Sequence, residues 1–123
     1  MNVKHGNAKS DRDTRGWLIG VFRDNELHNE DVEIKWGIHI PGDERSYDQR
    51  TAQKTATTLA ILVSGDMSIM TQDASGKPIE ALLQTQGDYV VWGPSIMHWY
   101  TVRKDTVVVI VRWPSVPNDT IYP

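Results

Sequence analysis

The sequence predicts an all-β domain, an antiparallel sandwich or barrel of about eight strands. From Trp17 onward, runs of four to nine residues rich in Val, Ile, Thr and Trp alternate with turn residues at close intervals. No stretch carries the 3.6-residue apolar period of a long helix. The run Val32 to Ile40 alternates strictly between apolar and polar residues, which is the two-residue period of a strand with two unlike faces.

The first fifteen residues hold Lys4, Lys9, Asp11, Arg12 and Asp13 beside Gly and Asn without a hydrophobic period, so 1–15 reads as a flexible arm ahead of a domain over 16–114. The strands expected in that domain are Trp17 to Phe22, Val32 to Ile40, Thr57 to Val63, Met67 to Thr71, Ile79 to Gln84, Tyr89 to Trp92, His98 to Val102 and Thr106 to Trp113. Gly65-Asp66 is a tight hairpin signal, Asp73 to Pro78 a longer polar loop, and Arg103 to Asp105 a charged tip. Pro41 to Thr55 is the one long connection; such loops often carry function, although solvated surface is the commoner explanation. Pro114, Pro117 and Pro123 predict that the tail over 115–123 leaves the sheet and runs extended over the surface.

A chain of 123 residues can bury one core without staples, and five Trp need somewhere to pack. The absence of Cys excludes disulfides and thiol nucleophiles. With neither an export-type apolar segment nor a span of membrane length in the sequence, a cytoplasmic protein with no membrane partner is expected. A net charge of −3, with basic residues scattered rather than clustered, argues against nucleic acid as a partner.

One segment has a recognisable pattern. In Gly87-Asp88-Tyr89-Val90-Val91-Trp92-Gly93-Pro94-Ser95-Ile96-Met97-His98, a Gly-Asp turn opens a strand, a Pro-containing bend follows, and His98 comes eleven residues after Gly87. This resembles the second motif of the cupins, and Leu59 to Gly65 is similar to the strand and glycine turn that close their first motif. The resemblance covers about Val32 to Pro114 and implies a cupin-type antiparallel jelly-roll barrel, most often paired as a homodimer through a sheet. It also implies where metal ligands would stand: near Thr51 or Ala52, Gln53 or Lys54, and Thr58. None of these is a plausible replacement for a His or a carboxylate, and Val102 stands where the second motif has Asn. One His without partners binds metal weakly, so neither a metal nor another cofactor is expected.

By the same resemblance His98 and Tyr100 point into the barrel, where His98 either holds a ligand or passes a proton, or is satisfied inside the barrel and does no chemistry. His39 lies on the polar face of its strand with Glu33, Lys35 and Gly37; it converges on His98 if that face lines the barrel, and is a surface residue in the commoner arrangement. Trp36 and Trp92 are candidate walls of a ligand pocket, or plain core, and Trp92 and Trp99 are not both assigned inward. Lys54 and Arg50 are candidate cations beside the site, and Glu44 and Arg45 either guard the barrel mouth or form a charged turn. Two functions follow as expectations. One is a metal-free module that binds a small organic molecule, anionic or sugar-like, through Trp36, His39, Lys54, Trp92 and His98. The other is a metal-independent epimerase or isomerase with His98 as general base, Tyr100, Lys54 or Arg50 assisting, and no orienting carboxylate identified.

Overall fold

The computed structural model describes residues 3–123; Met1 and Asn2, the start of the expected arm, lie outside them. Ten strands follow one another: β1 (Trp17–Ile19), β2 (Glu33–His39), β3 (Ala52–Gln53), β4 (Thr57–Ser64), β5 (Met67–Gln72), β6 (Pro78–Leu83), β7 (Tyr89–Trp92), β8 (His98–Val102), β9 (Thr106–Trp113) and β10 (Thr120–Ile121). The eight long runs read from the sequence all become strands, with only their ends displaced. A single 3₁₀ turn at Tyr47–Gln49 interrupts the long connection after β2.

Antiparallel ladders assemble a five-stranded sheet in the order β1-β2-β9-β4-β7 and a three-stranded sheet in the order β6-β5-β8. The core lies between them, with Ala60, Leu62, Trp92 and Val108 from the first sheet against Met67, Ile69 and Leu83 from the second. Among the described residues no ladder closes the sheets into a barrel, so the jelly roll is an open two-sheet sandwich. No helix among the described residues is long and apolar enough to cross a membrane.

The expected hairpin at Gly65-Asp66 is corrected. β4 belongs to the large sheet and β5 to the small one, so these residues turn the chain from one sheet to the other. Gly65 has φ +113°, and its α-carbon lies so close to Thr106 that a side chain there has no room. The tail also departs from the expectation. Instead of running over the surface it returns to the fold: Thr120 and Ile121 pair with Gln53 and Ala52, and buried Asp119 accepts hydrogen bonds from the backbone N–H groups of Thr55 and Ala56. In the segment before β1, Asp11 pairs with Arg23 at 3.2 Å and Arg12 Nη1 donates to the Trp36 carbonyl.

The orientation of β2 decides what the interior contains. Its register against β9 sets Lys35 opposite Ile110, Gly37 opposite Val108 and His39 opposite Thr106, and Val108 and Thr106 are fully buried. The polar file of β2 therefore faces inward, and the apolar file, Ile34, Trp36 and Ile38, faces outward beside Val111, Val109 and Val107. Gly37 fits this choice, since a methyl group there would press Val108 at 3.0 Å.

Candidate functional site

Between the sheets lies a cavity of about 80 Å³. Its floor is apolar, formed by Met67, Ile69, Val108 and Ile110, while Trp17, Lys35, His39, Arg45, Thr58, Trp92, His98, Tyr100 and Arg112 complete the wall. Trp17, Lys35, Arg45 and Arg112 also wall a polar vestibule of about 250 Å³ in which Arg15, Thr51 and Gln53 take part. A wider surface groove of about 760 Å³ adjoins it along Arg15, Trp17, Gln53 and Arg112 and is floored by the returning tail.

The strands explain each placement. Trp17 stands opposite Lys35 in the β1–β2 ladder, so both point to the same side of the sheet. Arg112 lies near the end of β9, opposite both Glu33 on β2 and Thr58 on β4. His98 and Tyr100 alternate on the inner face of β8, held by bridges from His98 to Thr51 and from Tyr100 to Arg45. That last bridge anchors the Arg45 backbone, while its Nη1 donates to Thr51 Oγ1 at 2.7 Å.

The wall is strongly cationic. Lys35 and Arg112 both lie over the Trp17 indole, with Nζ 5.6 Å and Cζ 4.8 Å from the ring centroid, and the Arg45 guanidinium lies 5.7 Å from the Tyr100 ring. Among the described residues no carboxylate pairs with Lys35, Arg45 or Arg112 within 4.0 Å. The titratable groups respond accordingly. Burial, reinforced by the charges of Arg112, Arg12, Arg45 and Arg15, pushes Lys35 down to about 8. Burial also drives His98 down to about 3, with Arg45 and Arg112 adding to the effect and the Thr51 backbone opposing it. His39 is lowered by burial and by Lys35, against the opposing pull of Asp43 at 3.2 Å. Burial raises Tyr100, and Arg45 moderates the rise. Four buried polar atoms of the wall, Thr58 Oγ1, Trp92 Nε1, His98 Nδ1 and Arg112 Nε, have no protein hydrogen-bond partner.

Of the residues singled out from the sequence, His98, Tyr100, His39 and Trp92 line the cavity together. Trp36 does not; it sits on the outer face of β2. Lys54 is exposed and lines none of these spaces, and the Arg50 guanidinium stacks on Tyr47, 4.0 Å from the ring centroid, outside the cavity. Trp99 faces away from Trp92 and packs under Tyr47 at 5.1 Å. Lys35, Arg112 and Trp17 escape sequence reasoning. A signal existed for Lys35, which belongs to the same polar file as His39, whereas Arg112 only ends a valine run.

No protein-family model matches the chain, and no curated protein matches it. Solved structures do. Oxalate decarboxylase from Bacillus subtilis superposes with a TM-score of 0.68 at 18% identity, over 85% of this chain and 26% of that one. An oxalate oxidase in complex with the substrate analogue glycolate gives 0.67 at 16% identity, over 97% and 59%. Peruvianin-I, a cysteine peptidase from Thevetia peruviana latex, gives 0.62 at 16% identity, over 76% and 56%. This chain therefore spans between about a quarter and three fifths of the length of these structures, and it contains no cysteine.

The Bacillus subtilis decarboxylase has Mn(II) centres. The wall described above does not fit such an ion. Its only imidazoles are His39 and His98, His39 is engaged by Asp43, and three cations share the space. Among the described residues no group of three or more His, Asp or Glu is placed to hold a metal. The Thr51 and Thr58 side chains occupy the neighbourhood in which the resemblance places lost ligands. Oxalate decarboxylase and oxalate oxidase are cupin proteins, and the chain has the cupin fold.

Proposed function

We propose that the chain is a metal-free cupin-like binding protein whose inter-sheet cavity takes a small organic anion, with its carboxylate or equivalent oxyanion against Arg45 and Arg112. One observation carries this reading: Lys35, Arg45 and Arg112 line a single cavity, and among the described residues none of them has a carboxylate within 4.0 Å, Glu33 and Asp119 acting on Arg112 from further away. Cations gathered without partners repel one another, and an anion relieves that repulsion while gaining charge-assisted hydrogen bonds in a low-dielectric site. The orphan polar atoms of Thr58, Trp92 and His98 provide further partners for a polar ligand. The cavity admits a carboxylate-sized group, and the vestibule takes the remainder.

The epimerase reading with His98 as general base has less support. An imidazole lowered to about 3 is neutral at pH 7 but has little affinity for a substrate proton, and no carboxylate orients it. We also propose a homodimer. The apolar file of Ile34, Trp36 and Ile38 continues across Val107, Val109 and Val111 on β9 to Leu59 and Ile61 on β4 and to Val91 on β7. Such continuity suits a second copy better than solvent.

A thermal-shift and calorimetric comparison of small mono- and dicarboxylates with their neutral amides tests the first reading. Carboxylates are expected to raise Tm and the amides not, with Arg112→Gln and Arg45→Gln each weakening affinity roughly tenfold or more. Equal stabilisation by amides or neutral sugars, unaffected by either substitution, would refute it. Sedimentation across a concentration series tests the dimer; a monomer at all concentrations rejects it.

A further inference from the structure

Resting on the anion reading above, we propose that Lys35 is a nucleophilic amine that captures the carbonyl carbon of a 2-oxo acid as a reversible Schiff base. Lys35 walls both the cavity and the vestibule, so its amine meets whatever spans the two. It has no carboxylate partner among the described residues, unlike a structural lysine held in an ion pair. Its neighbours are cations from three other parts of the chain: Arg112 on β9, Arg45 after β2, and Arg12 and Arg15 ahead of β1. His39 on its own strand, with His98 and Tyr100 on β8, complete the titratable groups of the cavity. A lysine crowded by cations and withdrawn from water keeps a larger share of neutral, nucleophilic amine, and its value near 8 leaves about one molecule in ten neutral at pH 7.

The choice of a 2-oxo acid follows from the two functions sharing one cavity and one vestibule. The Arg112 guanidinium and the Lys35 amine lie over one indole, 4.8 and 5.6 Å from its centroid. Both also wall the same cavity and vestibule, so a ligand whose carboxylate is held by the arginine presents its adjacent carbonyl carbon to the space that Lys35 walls. The neutral amine adds to that carbon and forms the C–N bond, and a proton passes from nitrogen to oxygen. The hydroxyl then takes a further proton from solvent water and the C–O bond breaks with loss of one water, leaving a protonated C=N linkage. Water reverses every step, and no oxidant or reductant takes part.

Sodium borohydride trapping of the full chain with pyruvate, 2-oxobutyrate or 2-oxoglutarate, followed by peptide mass mapping, tests this. The expected result is a reduced adduct concentrated on Lys35, several-fold above any of the five exposed lysines Lys4, Lys9, Lys54, Lys77 and Lys104. It should be suppressed by the matching 2-hydroxy acid and absent in Lys35→Arg. Competition in the unaltered protein keeps the test decisive even if that variant folds poorly. An adduct on Lys35 no greater than on the exposed lysines, with all three acids, overturns the proposal. If 2-hydroxy acids still raise Tm in that case, the Schiff base alone has failed; if neither class of acid binds, the anion reading has failed with it.

Discussion

Lys35 and Arg112 bear on one indole: the amine of one and the guanidinium of the other lie 5.6 and 4.8 Å from the ring centroid of Trp17. Each cation is drawn to the electron-rich π-system of the indole, and β1 holds Trp17 in register with Lys35. The indole is thus a platform that aims two cations into one cavity.

Trp17→Ala removes that platform while leaving both charges in the sequence. Each cation loses an attraction of about 1 kcal/mol and its fixed direction, so affinity for the best-bound carboxylate is expected to fall roughly five- to tenfold by calorimetry. Trp36→Ala, on the opposite face of the same sheet, is expected to leave that affinity unchanged. Equal losses in both variants would show that the effect is one of general stability.

Acid should destabilise the fold through His98. In the unfolded chain its imidazole titrates near the ordinary histidine value of 6.5, and in the fold it titrates near 3. Between those values the unfolded state binds more protons than the native state, so the stabilisation is complete above about pH 6.5 and is lost as the pH falls toward 3. The limiting slope for one group is about 1.4 kcal/mol per pH unit. His39, also lowered, contributes in the same direction. His98→Gln is expected to flatten the fall of Tm between pH 6.5 and 4, leaving the smaller slope due to His39. An unchanged Tm profile would mean that His98 is not held neutral.

The strands were legible because each is a short β-branched or aromatic run set off by Gly, Pro, Asp or Ser, and such local chemistry decides extended structure. The pairing of strands was less so. Gly65-Asp66 has the composition of a hairpin, but nothing local distinguishes a turn within a sheet from a passage between sheets; that depends on β9 and β8 arriving from far downstream to take the neighbouring places. The same limit governs the site. The alternation in β2 revealed two faces without saying which is inner, so candidates stood on both, Trp36 and His39, although an apolar face turns inward in the commoner arrangement, and Lys35 was read only as a member of the polar file. β2 reverses that rule: its outer neighbours on β9 are valines and its inner space is polar. Lys54 fails for another reason. Its strand β3 is only two residues long and ends before it, so the lysine stands in solvent while its backbone N–H donates to the Asp119 carbonyl.

Gly65→Ala is expected to be severely destabilising. The added methyl would meet Thr106 Oγ1 and lie 2.5 Å from Thr106 Cα and 2.6 Å from the Asp105 carbonyl oxygen, at a φ of +113° that an L side chain rarely adopts. Backbone atoms cannot step aside as a flexible side chain does, so a loss on the order of 3 kcal/mol is expected in urea unfolding. Gly87→Ala is the control: φ is again positive, at +94°, but the space is open, and about 1 kcal/mol is expected. Similar losses in the two variants would mean that the approach to Thr106 is not tight.

Asp119 fastens the tail to the segment that links β3 to β4, just past the vestibule residue Gln53. Its two carboxylate oxygens accept from Thr55 N at 3.0 and 3.2 Å and from Ala56 N at 3.0 Å, and its own carbonyl accepts from Lys54 N at 2.7 Å. Asp119→Ala strips the side-chain acceptor from two backbone N–H groups, one of them on fully buried Ala56, and about 2 kcal/mol of stability is expected to go with it. Asp119→Asn keeps one carbonyl acceptor and should lose less. Because β10 pairs with β3 alone among the described residues, loosening this clasp should also release Thr120 and Ile121 from Gln53 and Ala52, and with them one side of the vestibule. Amide hydrogen exchange is therefore expected to quicken at Ala52, Gln53, Thr55 and Ala56 in Asp119→Ala, while β4 and β9 exchange as before. Uniform acceleration across all strands would instead make Asp119 part of the global core rather than a local clasp.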